Sequence, residues 1–303
     1  MLRWSRNAPM STTPEIELLR AKLLEACEGD DRRLFALLDA ARVYGLRAFL
    51  RETRSEFMCL YRGAPEEELA HVAPYLVAMP LASLLVPWLL IDTKAAESVM
   101  IVVANADLDA LRTHLRRWLI VLDPRGEENF FRFYDPRVIE PFLEASSPAE
   151  AARFFGPMRA ILVCNHAPPV KEPLFRIWRA PEVPQTPPPN AFDQFVLRPE
   201  HETRFAKDTL ARYQQRCIIY LRSQHHQQLA EKSDEEVRSF VTRAKQLGDE
   251  AGLVAGRDVT ILAQVLVLGG TSGDLREITA GTAGERSKAV TRVRDRLLQT
   301  AVS

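Results

Sequence analysis

The apolar positions of this chain change their period partway along. Up to residue 165 they come in short runs, unbroken at 34–38, 57–61 and 99–103 and interrupted only by Arg159 at 158–163. Such runs are too short for ordinary helices and suit strands of a buried sheet. Helical spacing fills the gaps between them. The stretch 14–27 sets Ile16, Leu19, Leu23 and Leu24 on one side, 41–52 has a helical pattern, and 107–122 carries Leu108, Leu111, Leu115, Trp118, Leu119 and Leu122 as one apolar stripe. Residues 62–65 form a turn. An acidic lead at Glu66, Glu67 and Glu68 runs into 69–76, whose Pro74 and Tyr75 predict an extended segment near a sheet edge, because proline cannot donate to a central ladder. Strands alternating with helices predict an α/β (α+β) lobe with a mixed sheet over residues 14–165.

Eight prolines crowd 166–192, which predicts a semi-rigid linker with one more strand at 174–178. Beyond it the period is helical. Residues 200–229 place Ala206, Leu210, Tyr213, Cys217 and Leu221 at spacings of three and four. Ser233 with Glu236 reads as a capping box opening a helix that stops at Gly248 or Gly252. Asp258 is expected to cap a third, more apolar helix over 259–268, closed by Gly269 and Gly270, and 284–298 is a weaker helix rich in arginine. The prediction is an all-α lobe of three or four helices over 193–303. Residues 1–13 lack an apolar core like that of a secretory signal and are expected to be disordered, with Met10 as an alternative start.

The most informative stretch is 130–143, FFRFYDPRVIEPFL. Aromatics at 130, 131, 133 and 134 favour a strand. Asp135 then stands at a helix N-cap, Pro136 at the first helical position, and Val138, Ile139, Phe142 and Leu143 follow at helical spacing. Two readings are open: a locally encoded strand-to-helix corner, or a charged recognition cluster of Arg132, Asp135 and Arg137. The same choice applies to Arg112, Arg116 and Arg117 with His114, which lie off the apolar stripe of 107–122 as a solvated basic face or as a contact surface for an acidic partner.

Residues 131–138, FRFYDPRV, resemble the hallmark segment of the effector-chaperone family of type VI secretion (Tap/TEC adaptors, domain of unknown function 4123). Four further blocks match in order: LFALLDAA at 34–41, LYRGAPEEELAHVAPYLV at 60–77, LDALRTHLRRWL at 108–119 and FFGPMRAILV at 154–163. Residues 97–105, ESVMIVVAN, depart from relatives that carry an aromatic-Gly start and a closing Ser. The resemblance implies a non-catalytic cytoplasmic adaptor that binds a type VI secretion effector and helps load it onto the VgrG or PAAR spike protein.

Composition adds mainly exclusions. The 303 residues hold 40 basic and 40 acidic side chains, with 47% hydrophobic and 26% charged residues, so no global field steers the chain toward nucleic acid or an anionic membrane. The longest apolar run, 77–91, is broken by Pro80 and Pro87, falls short of the roughly 20 residues that span a bilayer, and reads as strand, turn and buried helix. Cys27, Cys59, Cys164 and Cys217 have no CxxC spacing and read as reduced core residues of a cytosolic protein. Neither Cys164 with His166 nor the isolated pair His225 and His226, expected to be exposed, makes a metal site. No P-loop, GxGxxG, GxSxG or HExxH occurs. No catalytic residue, metal or cofactor is therefore assigned. The alternative is an enzyme with a site between the lobes, built from Asp39, Asp135 and His114 or His166. For the adaptor, the expected partner-binding residues are Arg112, Arg116, Arg117, Arg132, Asp135 and Arg137, with cargo seated between the lobes.

Overall fold

The computed structural model describes residues 33–63, 67–79, 99–165, 174–182, 194–253 and 255–302, together with position 21. The helix expected at 14–27, positions 64 and 65 of the turn expected at 62–65, the elements expected at 80–91 and His166 lie outside these residues.

The apolar runs are strands, and β1, β3 and β4 are buried on both faces. Six strands form one sheet in the order β2-β3-β1-β4-β7-β8: β1 (Arg33–Asp39), β2 (Phe57–Cys59), β3 (Pro74–Ala78), β4 (Val99–Ala104), β7 (Met158–Asn165) and β8 (Leu174–Arg179). Phe35, Leu37, Met100, Val102, Ile161 and Val163 point into one core, and Leu34, Ala36, Leu38, Ile101, Val103, Ala160 and Leu162 into the other. Double coverage explains why the period-2 alternation is invisible in these strands. Every pairing in this sheet is antiparallel, so the mixed sheet expected from sequence resolves to antiparallel ladders. A parallel bridge joins Leu122 to Val196. The α+β character of the first region and the all-helical character of the second agree with the sequence pattern.

β3 is extended and one strand in from the edge, in keeping with the expected place near it, and Pro74 is tolerated there as its first residue, still accepting from Leu60 N at 3.0 Å. Three other local expectations change. The helix expected over 41–52 is shorter, α1 (Leu46–Glu52), because 40–44 turns on the end of β1 and Gly45 takes a left-handed φ of 77°. The helix expected over 107–122 stops early as α2 (Leu108–Arg116), and Ile120–Leu122 becomes β5, paired with β6 (Glu128–Phe130). Asp123 closes that hairpin, its Oδ1 accepting from Arg125 N at 2.8 Å and Glu127 N at 2.9 Å. Of the aromatic stretch, only Phe130 is in a strand. Phe131, Phe133 and Tyr134 are buried beside α3 (Pro136–Ala145) and α4 (Pro148–Phe155).

Compact units divide between Phe205 and Ala206, within α5 (Pro199–Gln224), whereas the sequence pattern began the second lobe at 193. The physical reason is that β8 pairs with β7, Phe195 and Leu197 are buried in the first core, and Arg198 is bidentate to Glu150 at 2.7 and 3.0 Å. The second unit gathers α5 from 206 onward, α6 (Asp234–Glu250), α7 (Gly256–Val267), α8 (Ser272–Thr279) and α9 (Ala283–Val302) around Leu221, Val241, Leu262 and Val290. Helix α6 starts at the Ser233 capping box as expected and runs past Gly248, where a Cβ would press on Val259. Asp258 lies inside α7, which Ala255 precedes as cap, and Thr271 opens the unexpected α8 with a capping box to Asp274. His225 is buried, contrary to expectation, and His226 is exposed.

Candidate functional site

The charged residues picked out by the 130–143 pattern do meet in space, and they meet the end of β1. Asp39, 2% exposed, closes that strand and bends the chain back: its Oδ1 accepts from Ala41 N at 2.9 Å and its carbonyl from Arg42 N at 3.1 Å. The turn carries Arg42 to within 3.9 Å of Asp135. Asp135, 5% exposed, is the N-cap of α3, accepting from Arg137 N at 2.9 Å and gripping the Arg137 guanidinium through both oxygens, with Nε at 2.9 and 3.2 Å. Burial raises the Asp135 carboxyl, but the Arg137 side chain and backbone hydrogen bonds, with the Arg137 and Arg42 charges, outweigh it and hold the group below the usual carboxylate range. Asp39 goes the other way. Burial pushes it up, the Ala41 bond and Arg132 pull it down, Asp135 adds repulsion, and the net direction is upward.

Arg132 is exposed at the mouth of this cluster, while Tyr134 lies fully buried beneath it. The Arg132 guanidinium and the Tyr61 phenol are the polar neighbours of the Tyr134 hydroxyl, yet no described group meets hydrogen-bond geometry with it. Burial drives that phenol strongly upward. The sequence pattern found Arg132, Asp135 and Arg137 together, and joined Asp39 to Asp135 only in the alternative enzyme site, there with His114 or His166. It missed Arg42 and Tyr61 as members, because their joining depends on contacts tens of residues apart, and it read Tyr134 only as one aromatic of a strand. The one local signal was Arg42, a cation three positions past the polar end of a buried strand.

The basic residues of α2 have a structural task. Arg112 donates from Nε to Cys59 O at 2.6 Å and from Nη2 to Tyr61 O at 3.0 Å, and Arg116 donates from Nη1 to Leu60 O at 2.9 Å. Leu60 and Glu56 bond toward β3, so the carbonyls of Cys59 and Tyr61 face outward from β2. Arg112 therefore covers an outer strand margin, as charged side chains often do at sheet edges. Arg117 is exposed. His114 lies apart from the Asp39 and Asp135 pair: its Nε2 meets Phe154 O at 2.7 Å, burial lowers its pKa, and its ring fills the space where a Cβ on Gly156 would stand. Gly156, with φ of 50°, is thus required both by conformation and by this close approach. Among the described residues no group of three His, Cys, Asp or Glu side chains is placed to hold a metal ion, and no helix is long and apolar enough to cross a membrane.

The opposite shifts of the two carboxylates make a paired test. Asp135→Asn keeps an acceptor for the cap but discards the charge facing Arg137 and Arg42, and is expected to cost about 1–2 kcal/mol at pH 7. Because the folded Asp135 pKa is depressed, its contribution is present above the unfolded carboxylate value and is lost as pH falls through the folded one, so wild type and variant should converge in acid. Asp39 has a raised pKa, so its ionisation opposes folding as pH rises. Asp39→Asn retains the acceptor for Ala41 N and is expected to be neutral or stabilising by up to about 1 kcal/mol at pH 7. Urea melts of both variants at pH 7 and pH 3.5 check this; a D39N variant less stable than D135N at pH 7 would refute the assignment.

No curated protein matches the chain, and no solved structure does. Residues 34–153, from β1 through most of α4 and including the whole charged cluster, match the family model described as Domain of unknown function (DUF4123).

Proposed function

We propose that the chain is a non-catalytic cytoplasmic adaptor that binds a type VI secretion effector and assists its loading onto the VgrG or PAAR spike protein. The carrying observation is the match of residues 34–153 to a family associated with type VI effector adaptors, together with the FRFYDPRV segment that sits within it. The geometry supports the reading in one respect. Asp135 and Arg137 of that segment are occupied with each other at a helix start, and the Arg132 and Arg137 side chains both reach the surface, which suits a rigid corner that presents cations for recognition.

Co-expression with the products of neighbouring genes tests it. One effector should copurify stoichiometrically and lose solubility or export when the chain is absent. An effector that is exported at normal yield from cells lacking this chain would overturn the adaptor reading.

One observation favours a second reading, an enzyme acting at Asp39 and Asp135: two buried carboxylates in one cluster are shifted in opposite directions, as acid and base partners often are. On that reading Asp39→Asn would abolish a turnover that the adaptor reading does not require.

A further inference from the structure

A cavity of about 220 Å³ opens at the outer margin of β2, lined by Arg47, Arg62 and Arg112 with Phe57, Met58, Cys59 and Tyr75. Among the described residues, three arginines line it and no acidic side chain does. Arg47 and Arg62 are exposed and make no hydrogen bond or ion pair among the described residues. Helix formation does not account for Arg47, which stands in the first turn of α1, the end of a helix where a cation is disfavoured, with no acidic residue in that turn to offset it. The walls are fixed. Arg112 is anchored to two backbone carbonyls, Phe57 packs edge-on to Tyr75 at 5.7 Å, and the Tyr75 hydroxyl is tied to Ala70 O at 2.8 Å.

Such a set suits an oxyanion, since guanidinium forks match its geometry and charge. Two features narrow the class. Arg112 already covers the outward carbonyls of Cys59 and Tyr61, so a partner strand cannot extend the sheet along the whole margin, and the space admits a single side-chain-sized group. Half-buried Phe57 and Met58 offer an apolar rest for a carbon stem. We propose that this cavity binds a carboxylate presented by a partner polypeptide, held by Arg47 and Arg62 beside the anchored Arg112, with its carbon stem against Phe57. The source is either an acidic side chain or a chain terminus. The proposal goes beyond the adaptor reading and does not depend on it.

The test is an NMR titration of the ¹⁵N-labelled chain, following the Phe57 and Cys59 amides and the arginine Nε–H signals. The probes are N-acetylphenylalanine, N-acetylglutamic acid α-amide, the neutral N-acetylphenylalanine amide and inorganic phosphate. At least one carboxylate should bind ten times more tightly than the neutral amide, and Arg47→Ala with Arg62→Ala should weaken it at least tenfold, with the exposed Arg125→Ala leaving it unchanged. Preference for N-acetylphenylalanine assigns a chain terminus, and preference for the glutamate amide assigns an acidic side chain. Equal binding of acid and amide, phosphate binding as tight as either carboxylate, no shift with any probe, or full binding by the folded double variant would each overturn the proposal. The milder Arg47→Lys with Arg62→Lys keeps the charge but loses the fork, and should retain only part of the affinity, whichever carboxylate is preferred.

Discussion

Replacing Phe142 by alanine is expected to destabilise the first unit by about 3–5 kcal/mol, the range for removing a large ring from a closed core. Phe142 is fully buried on α3 and is the ring that most others share: Trp118 lies 5.9 Å away, Phe131 5.1 Å, Phe154 5.7 Å and Phe195 5.5 Å, and His201 stacks on it at 5.1 Å. Those neighbours come from four separate stretches of chain, so the cavity cannot close by moving one of them. The effect should also spread to a specific place. Leu122 N donates to Phe195 O at 2.8 Å and Leu197 N to Leu122 O at 2.8 Å, and this short bridge depends on Phe195 and His201 staying packed against Phe142. Hydrogen exchange at the Leu122 and Leu197 amides should therefore accelerate more than at the central strand amides of β4. Phe142→Leu, which refills part of the space, should cost much less. Unchanged exchange at Leu122 and Leu197 in a Phe142→Ala variant would show that the segment after 194 is held independently of this core.

How legible this molecule is from its sequence depends on how local each feature is. Strands β1 and β4 are readable because double burial leaves a continuous apolar run, and the cap at Asp135 is readable because cap, proline and apolar face follow one another within nine positions. The end of α2 is not: Trp118 and Leu119 continue the helical spacing and are buried in the same core, but the chain has already left the helix for β5. The aromatic stretch 130–134 misleads in a related way, since its rings satisfy a core rather than a strand face. Proline density at 166–192 suggested a boundary, yet the side chains that decide membership, Phe195, Leu197 and Arg198, lie beyond it and act through partners tens of residues away. The cluster at Asp39 has the same origin. Sequence separates Asp39 from Asp135 by 96 positions, and only the fold of the first unit brings the end of β1 beside the start of α3.

Reversing Arg112 and Arg116 together to glutamate is the second large effect, and it bears directly on the basic face expected to hold cargo. Read as solvated charges, these residues would tolerate reversal with little change in stability. The geometry dictates otherwise. Three consecutive carbonyls, at Cys59, Leu60 and Tyr61, receive guanidinium hydrogen bonds at 2.6, 2.9 and 3.0 Å. An ionised glutamate donates nothing, so the variant would set carboxylates against carbonyl oxygens at the strand margin. Hydrogen bonds from a charged donor contribute about 1.5–3 kcal/mol each, and water can replace some of them at these half-buried positions, so the combined cost is expected to be about 3–4 kcal/mol. For a unit of this size that corresponds to a melting temperature lower by about 10 °C. Arg112→Lys should lose nearly as much as Arg112→Ala, because one ammonium cannot span two carbonyls two residues apart in the way the fork does. A loss of cargo capture by the double reversal would then report a damaged fold. Arg117→Glu is the variant that isolates the surface: it is exposed, should change stability by less than about 0.5 kcal/mol, and should weaken capture more at low salt than at high salt if an acidic partner docks on this face. Melting curves settle the first half of this expectation and binding at two ionic strengths the second. A double reversal that melts with the wild type would refute the structural role of the two arginines, and capture by Arg117→Glu at wild-type strength in low salt would remove this end of the helix from the contact surface.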